Sequence, residues 1–294
     1  MKNYTKSNTW QLFFLMMLLG IFSVGLLSHQ ARLIEDPNLL IQDGEFSASD
    51  VTQTGTISGN TFTNLPVTYS VVDGMSIVEG DIVLRLDSEG MQTAGTGVPF
   101  VDRRWENGLV PYAIDPALPD QFRIHDSIAH WEAVTGIRFI LRDDSNANQY
   151  PDYVYFRPST GCSSYVGRMG GMQPINLAQG CTTGSTIHEI GHAVGLWHEQ
   201  SRIDRDDYVT IHYENIIPET IFNFNQHISD GVDIDGYDFD SIMHYPRWAF
   251  SKNGKDTIVP KHDVEIGQRQ VLSQGDIDAV AYMYQDILQP ASGE

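Results

Sequence analysis

Residues 188–198 read HEIGHAVGLWH, and no other stretch of the chain limits its fold so tightly. His188 and His192 are four apart, so on a helix they lie one above the other on the same face. His198 comes ten residues after His188, which at helical rise puts it ~15 Å further along the axis. The three imidazoles can meet only if the helix stops and the chain doubles back before His198. Gly195 stands where a left-handed residue ends a helix. The pattern predicts a helix from about Thr186, a glycine turn and a three-histidine clamp.

Neutral imidazole is the commonest protein ligand for zinc, and catalytic zinc sites use three protein ligands with a fourth position left open. Glu189 follows the first histidine, where a carboxylate can take a proton from an activated water and pass it to a leaving amine. A bare H-E-x-x-H is a moderate signal. Gly195 and His198 at their fixed offsets turn it into a specific one. Fifty-odd residues downstream, SIMHY spans Ser241 to Tyr245. Met243 in a tight turn can floor the histidine rings, and the Tyr245 phenol can serve as a weak metal ligand or donate to an oxyanion. Alone, such a triplet reads as ordinary core. The clamp upstream reverses that weighting.

Composition narrows the classes. The formal net charge is −20 over 294 residues, which argues against a nucleic-acid partner, since phosphate binding needs clustered Lys and Arg. Lys2 and Lys6 precede the uncharged apolar run Leu12–Leu27, the layout of a secretory signal or a retained signal anchor over residues 1–31. Export is expected in either case, with membrane contact only if that segment is kept. Cys162 and Cys181 are the only cysteines, and in an exported chain a lone pair is most simply a disulfide; two buried thiols are the alternative. Residues 43–64 are polar and rich in Gly, Ser and Thr, and read as loosely ordered. Helical spacing of Ile124, Ile128 and Trp131, strands at 137–141 and 152–156, and a final helix capped by Ser273 and Asp276 predict an α+β domain. Ile277, Val280, Ala281 and Tyr284 form the apolar face of that last helix. The acidic stretch 230–240 fails the EF-hand pattern and reads as a solvated loop.

The long zinc motif with a later SIMHY turn resembles the metzincin metalloproteases, and Glu199 directly after His198 narrows the likeness to the astacin family. It continues through 198–216, 237–245, 161–167 and 272–284, from about Trp105 to Tyr284. The resemblance implies an exported zinc endopeptidase acting on proteins or peptides, with one Zn2+ on His188, His192 and His198. It implies Glu189 as general base, Met243 as the turn methionine and Tyr245 as a zinc-proximal switch. Glu199 would meet the new N-terminus made by maturation, at a cut between Ala94 and Arg103. The implied fold is two subdomains flanking a cleft, with a twisted, antiparallel-edged sheet and substrate lying antiparallel to an edge strand, here placed within 172–178. The pair Cys162–Cys181 matches one family disulfide. A second, joining the start and end of the domain, is missing, so packing is expected to hold those ends.

The resulting division is 1–31 signal or anchor, 32–96 pro-segment, 97–286 protease domain and 287–294 short tail. Within the pro-segment, residues 75–84 read MSIVEGDIVL and resemble the family's Phe-x-Gly-Asp motif, with Val78 in place of the aromatic residue. Gly80 lets the backbone come close to a metal, and Asp81 is expected as the fourth ligand that keeps the precursor quiet. The pro-segment is thus an intramolecular partner. A zinc-stabilised binding protein without catalysis is the rival class; loss of catalysis shows as replacement of the glutamate or a histidine, and all four are present.

Overall fold

Two short-range patterns build most of the architecture. Among the described residues, runs of β-branched and apolar residues give most of eleven strands, and the 3.6-residue apolar period gives two long helices. The computed structural model describes residues 46, 49, 51–58, 63–86, 103–227 and 231–288. The apolar run 12–27, the region of the cut apart from Arg103, and the tail beyond 288 lie outside the described residues.

Four strands come first: β1 (Thr52–Ile57), β2 (Leu65–Val72), β3 (Met75–Val78) and β4 (Ile82–Leu84). They form an antiparallel meander. β1 overturns the loosely ordered reading of 43–64. Its threonines are β-branched, every residue from Thr52 to Ile57 pairs with β2, and Ile57 is buried. Polar composition hid a period-two pattern that ends in one apolar anchor.

The remainder adds β5 (Leu109–Ile114), β6 (Arg138–Leu141), β7 (Tyr153–Pro158), β8 (Ser163–Ser164) and β9 (Met172–Leu177). β6, β5, β7 and β9 run parallel to their neighbours, and β8 closes them with an antiparallel edge. Because β4 pairs with β8, all nine strands form one mixed sheet in the order β1-β2-β3-β4-β8-β9-β7-β5-β6. The edge expected within 172–178 is therefore corrected. β9 is interior and buried from Gln173 to Leu177, as a strand with neighbours on both sides should be. Among β5 to β9 the border strand on this side is the two-residue β8, which β4 covers here and which is too short to carry a readable alternation.

Helix α1 (Phe122–Val134) packs on α2 (Thr183–Val194). Trp131 is fully buried between them and donates Nε1–H to Ile187 O at 3.1 Å. Ile124, Phe156, Ile175, Ile187 and Ile190 fill the same core. α2 starts three residues before the expected Thr186. Thr182 caps it by exchanging bonds with Ser185, a box closed by serine where glutamate is the usual signal. The Cys162–Cys181 disulfide joins the β8 strand to the entry of α2, with Cα atoms 6.0 Å apart.

Beyond α2 the chain is mostly irregular, with short 3-10 turns and a two-stranded sheet of β10 (Val209–Ile211) and β11 (Ile258–Pro260). Val209, Ile216, Phe224, Tyr245 and Phe250 form a second core there, and Phe46 from the N-terminal segment completes it. Helices α3 (Gln274–Met283) and α4 (Gln285–Leu288) finish the described chain. Ser273 and Asp276 cap α3 as expected, but Ala281 is exposed and Met283 takes its place on the buried face. The start and end of the domain are tied by more than packing: Arg104 holds both oxygens of Asp286, and Trp105 N–H donates to Tyr284 Oη at 3.2 Å.

Candidate active site

The last turn of α2 decides the geometry. Gly195 has φ 126°, and its N–H reaches back to Gly191 O and His192 O, so the helix ends there and the chain turns. His198 is thereby brought beside the two histidines of α2. Ring centroids are 4.7 Å apart for His188–His192 and His192–His198, and 5.2 Å for His188–His198. All three rings are buried.

Each ring is oriented through Nδ1. His188 donates to Ile242 O at 2.8 Å and His192 to Leu196 O at 2.8 Å. A carbonyl only accepts, so both rings carry the proton on Nδ1 and turn a bare Nε2 inward. His198 points Nδ1 at Glu79 Oε2, 2.6 Å away. The Nε2 atoms converge on the carboxylate of Asp81, which the turn between β3 and β4 inserts. Asp81 Oδ2 lies 3.2 Å from His188 Nε2 and 3.3 Å from His198 Nε2; those two nitrogens are 3.2 Å apart.

These spacings fit a metal. Tetrahedral zinc with bonds of ~2.0–2.1 Å sets its ligand atoms about 3.3 Å from one another. The ligand atoms of Asp81, His188, His192 and His198 all lie within 4.8 Å of each other, the only such group among the described residues. His192 Nε2 and Asp81 Oδ1 are buried with no hydrogen-bond partner, as atoms reserved for a cation are. Burial, and the nearby Arg269 charge, hold His188 well below the usual imidazole range. For His198, burial works the same way but is outweighed by Asp81 and Glu79, which raise it to about 9. Burial would raise Asp81, yet the three imidazoles hold it well below the usual carboxylate range.

Around this centre the expected residues fall as follows. Glu189 is buried on α2 beside His188. Met243 is buried and lays its sulfur against Gly191 of α2, where a Cβ would come within 2.7 Å of it. Tyr245 is buried with its ring centroid 4.7 Å from that of His198, and its hydroxyl donates to the Glu79 carbonyl. Glu199 accepts from Asp238 N at 2.7 Å and lies 3.6 Å from Arg202. Burial dominates over Arg202 and pushes Glu199 up to about 8. In the acidic stretch Asp238 accepts from Ser273 Oγ and Asp240 N, and Asp233 faces Arg202.

Several contributors escaped the sequence reading. Glu79 bridges His198 and His227, a contact between residues 148 apart in sequence. Gln200 accepts from Tyr245 N–H at 2.9 Å, and Asp276 takes Ser241 Oγ–H and Ile242 N–H, fixing the turn that holds Met243. Only Glu79 carried a usable signal, as the acid two places before Asp81.

The site and fold agree with relationships to known proteins. The peptidase family described as Astacin matches residues 98–285. Zinc metalloproteinase nas-14 of Caenorhabditis elegans is 39% identical over 197 residues, covering 64% of this chain and 38% of that protein. Bone morphogenetic protein 1 of Xenopus laevis is 42% identical over 205 residues, covering 66% of this chain and 28% of that protein. The chain thus spans well under half the length of these two relatives. Among solved structures, high choriolytic enzyme 1, a hatching enzyme zinc-protease from the medaka Oryzias latipes, is 38% identical with a TM-score of 0.56. That match covers 62% of this chain and 92% of the medaka one.

Proposed function

The chain belongs to the astacin family of peptidases, and from that premise we propose that it is an exported zinc endopeptidase made as a self-inhibited precursor. The observation that carries this reading is the buried group of His188, His192, His198 and Asp81, with ligand atoms within 4.8 Å of one another. In this reading the histidines hold zinc and Asp81 fills the fourth position until maturation. When bound, zinc acts as a Lewis acid that makes water a nucleophile near neutral pH and polarises the scissile carbonyl. Glu189 takes the proton from that water and returns it to the leaving amine. Tyr245 gives up its bond to the Glu79 carbonyl and donates to the oxyanion. Glu199 receives the new N-terminus.

Residues 1–31 direct export, 32–96 inhibit, 97–286 catalyse and 287–294 form a tail. No helix among the described residues is long and apolar enough to cross a membrane. The inhibitory role is supported by strand polarity. β4 runs parallel to β8, whereas the family resemblance has substrate antiparallel to its edge strand. The pro-segment therefore crosses the site in the reverse direction, which explains how it occupies the cleft without being cut.

The test uses the matured chain on casein. Cleavage should stop with a zinc chelator and return with added zinc. Glu189→Gln should keep a full zinc content yet lose at least ~10²-fold in rate, the worth of a positioned proton carrier. Cleavage indifferent to chelation, or near-normal turnover by Glu189→Gln, would overturn the reading.

A further inference from the structure

Of the three imidazoles, His188 alone is oriented by a distant segment that maturation keeps. His192 donates to Leu196 O in the turn that ends its own helix, and His198 points at Glu79 of the pro-segment. His188 Nδ1–H is taken by Ile242 O, 54 residues away. A carbonyl oxygen has two lone pairs, and the second one on Ile242 O accepts from Arg269 Nη1 at 2.8 Å. The same nitrogen donates to His244 O at 3.0 Å, with Gln268 O also 3.0 Å away. His244 O belongs to the peptide whose N–H, on Tyr245, is held by Gln200 at 2.9 Å. Arg269 is itself fixed in place. A Cβ at Gly184, in the first turn of α2, would come within 1.9 Å of Arg269 O, so the Arg269 backbone lies directly on the helix that carries His188.

We propose that Arg269 is a positioning residue of the metal centre: one guanidinium nitrogen fixes both the carbonyl that steers His188 and the peptide that carries Tyr245. The inference rests on the peptidase reading above. The two carbonyls lie on either side of Met243, so the guanidinium staples the turn beneath the histidines. Asp276 takes Ser241 Oγ–H and Ile242 N–H, which precede the Ile242 carbonyl and leave its direction to Arg269. Without Arg269 that carbonyl and the ring it steers are free to turn together. His188 then loses the fixed Nδ1–H that keeps Nε2 bare and aimed at the metal. Tyr245 loses its place through the second carbonyl at the same stroke. Ligand and oxyanion donor are thus coupled through a side chain that touches neither substrate nor metal.

The experiment compares wild type with Arg269→Met, which keeps the stem and removes the donors. Zinc affinity of the full-length precursor, read by chelator competition, should fall by roughly 10–100-fold, the usual effect of losing a group behind a metal ligand. In the metal-free precursor labelled with 15N-histidine, the His188 Nδ1–H signal should exchange faster with water than in wild type. After maturation kcat should fall by about tenfold, the size of one charge-assisted hydrogen bond, with KM little changed. That loss should shrink in a Tyr245→Phe background, because coupled residues do not add. Arg269→Gln, too short to reach both carbonyls, should give the same losses and serves if Arg269→Met does not fold. Arg269→Lys, which returns one long donor, should recover part of each. A wild type that takes up no zinc would sink the peptidase reading, and the His188 signal would still decide the role of Arg269. Folded variants with unchanged zinc affinity and an unchanged His188 signal overturn the inference, as does a kcat loss that adds in full to that of Tyr245→Phe.

Discussion

In the proposed mechanism Tyr245 is the residue on which inhibition and catalysis meet. Its hydroxyl is committed to the Glu79 carbonyl while its ring sits between His198 and Phe46, with centroids 4.7 and 5.1 Å away. Tyr245→Phe in the matured chain should lower kcat by roughly 10²-fold, the cost of one preorganised oxyanion donor, with little change in KM. Initial-rate kinetics check this, and an unchanged kcat would reduce the phenol to packing. Gly80 faces the same aromatic cluster with φ 74°, and a Cβ there would come within 2.6 Å of Phe250 and 2.9 Å of Phe46. Gly80→Ala adds a left-handed penalty of roughly 1–2 kcal/mol to that clash. The uncut precursor should then show peptide hydrolysis that the wild-type precursor lacks. Val78 stands where the family motif has an aromatic ring, and the aromatic space beside Gly80 is filled instead by Phe46, 5.2 Å from Phe250. No local pattern in the sequence announces that substitution, because the two positions are joined only in three dimensions.

At the scale of elements, α1 and the entry to α3 are linked by one titratable contact. His130 Nε2 accepts the Leu272 N–H at 3.0 Å, and burial holds His130 below the ordinary imidazole value. The neutral ring is the accepting form, so this stability is complete above the unfolded value of about 6.5 and is lost as pH falls through the lowered folded one. Melting temperature of the matured chain should fall as pH is taken from 7 to 5, and less steeply in His130→Gln; identical slopes would remove His130 from the account. Helices were the most legible elements in the sequence. Ile124, Ile128 and Trp131 mark α1 by period alone, and His188, His192 and Gly195 mark both a helix and its end. Strands depended on length. β6 and β7 read clearly, whereas β8 has two residues and β1 is mostly threonine, so neither offers an apolar alternation. The histidines of the metal group were legible because three side chains of fixed chemistry stand at fixed offsets, whereas Asp81, far upstream, was reached only through the family resemblance of its Gly-Asp turn. The supports of the group were not legible, since Gln200, Asp276 and His227 act through contacts that no spacing encodes.

Across the whole molecule, the N-terminal meander and the catalytic strands share one sheet, yet the join is slight. β4 meets β8 at a single residue pair, Ile82 with Ser164, reinforced by Ser164 N–H donating to Asp81 O at 2.9 Å. Most of the hold comes from side chains: Asp81 among the histidines, Asp73 accepting from Ser159 and Thr160, and Val78, Ile82 and Leu86 packed against Val166, Trp197 and Phe222. Asp81→Ala removes the deepest of these, and the purified, uncut variant should hydrolyse small peptides while retaining zinc. A variant precursor as inert as wild type, with zinc bound, places the inhibition elsewhere. The brevity of β8 has another consequence. A sheet stripped of four strands would ordinarily expose a sticky border, ready to recruit identical molecules into aggregates. Here the border that the proposed maturation would uncover is only Ser163 and Ser164, too short and too polar to template such growth.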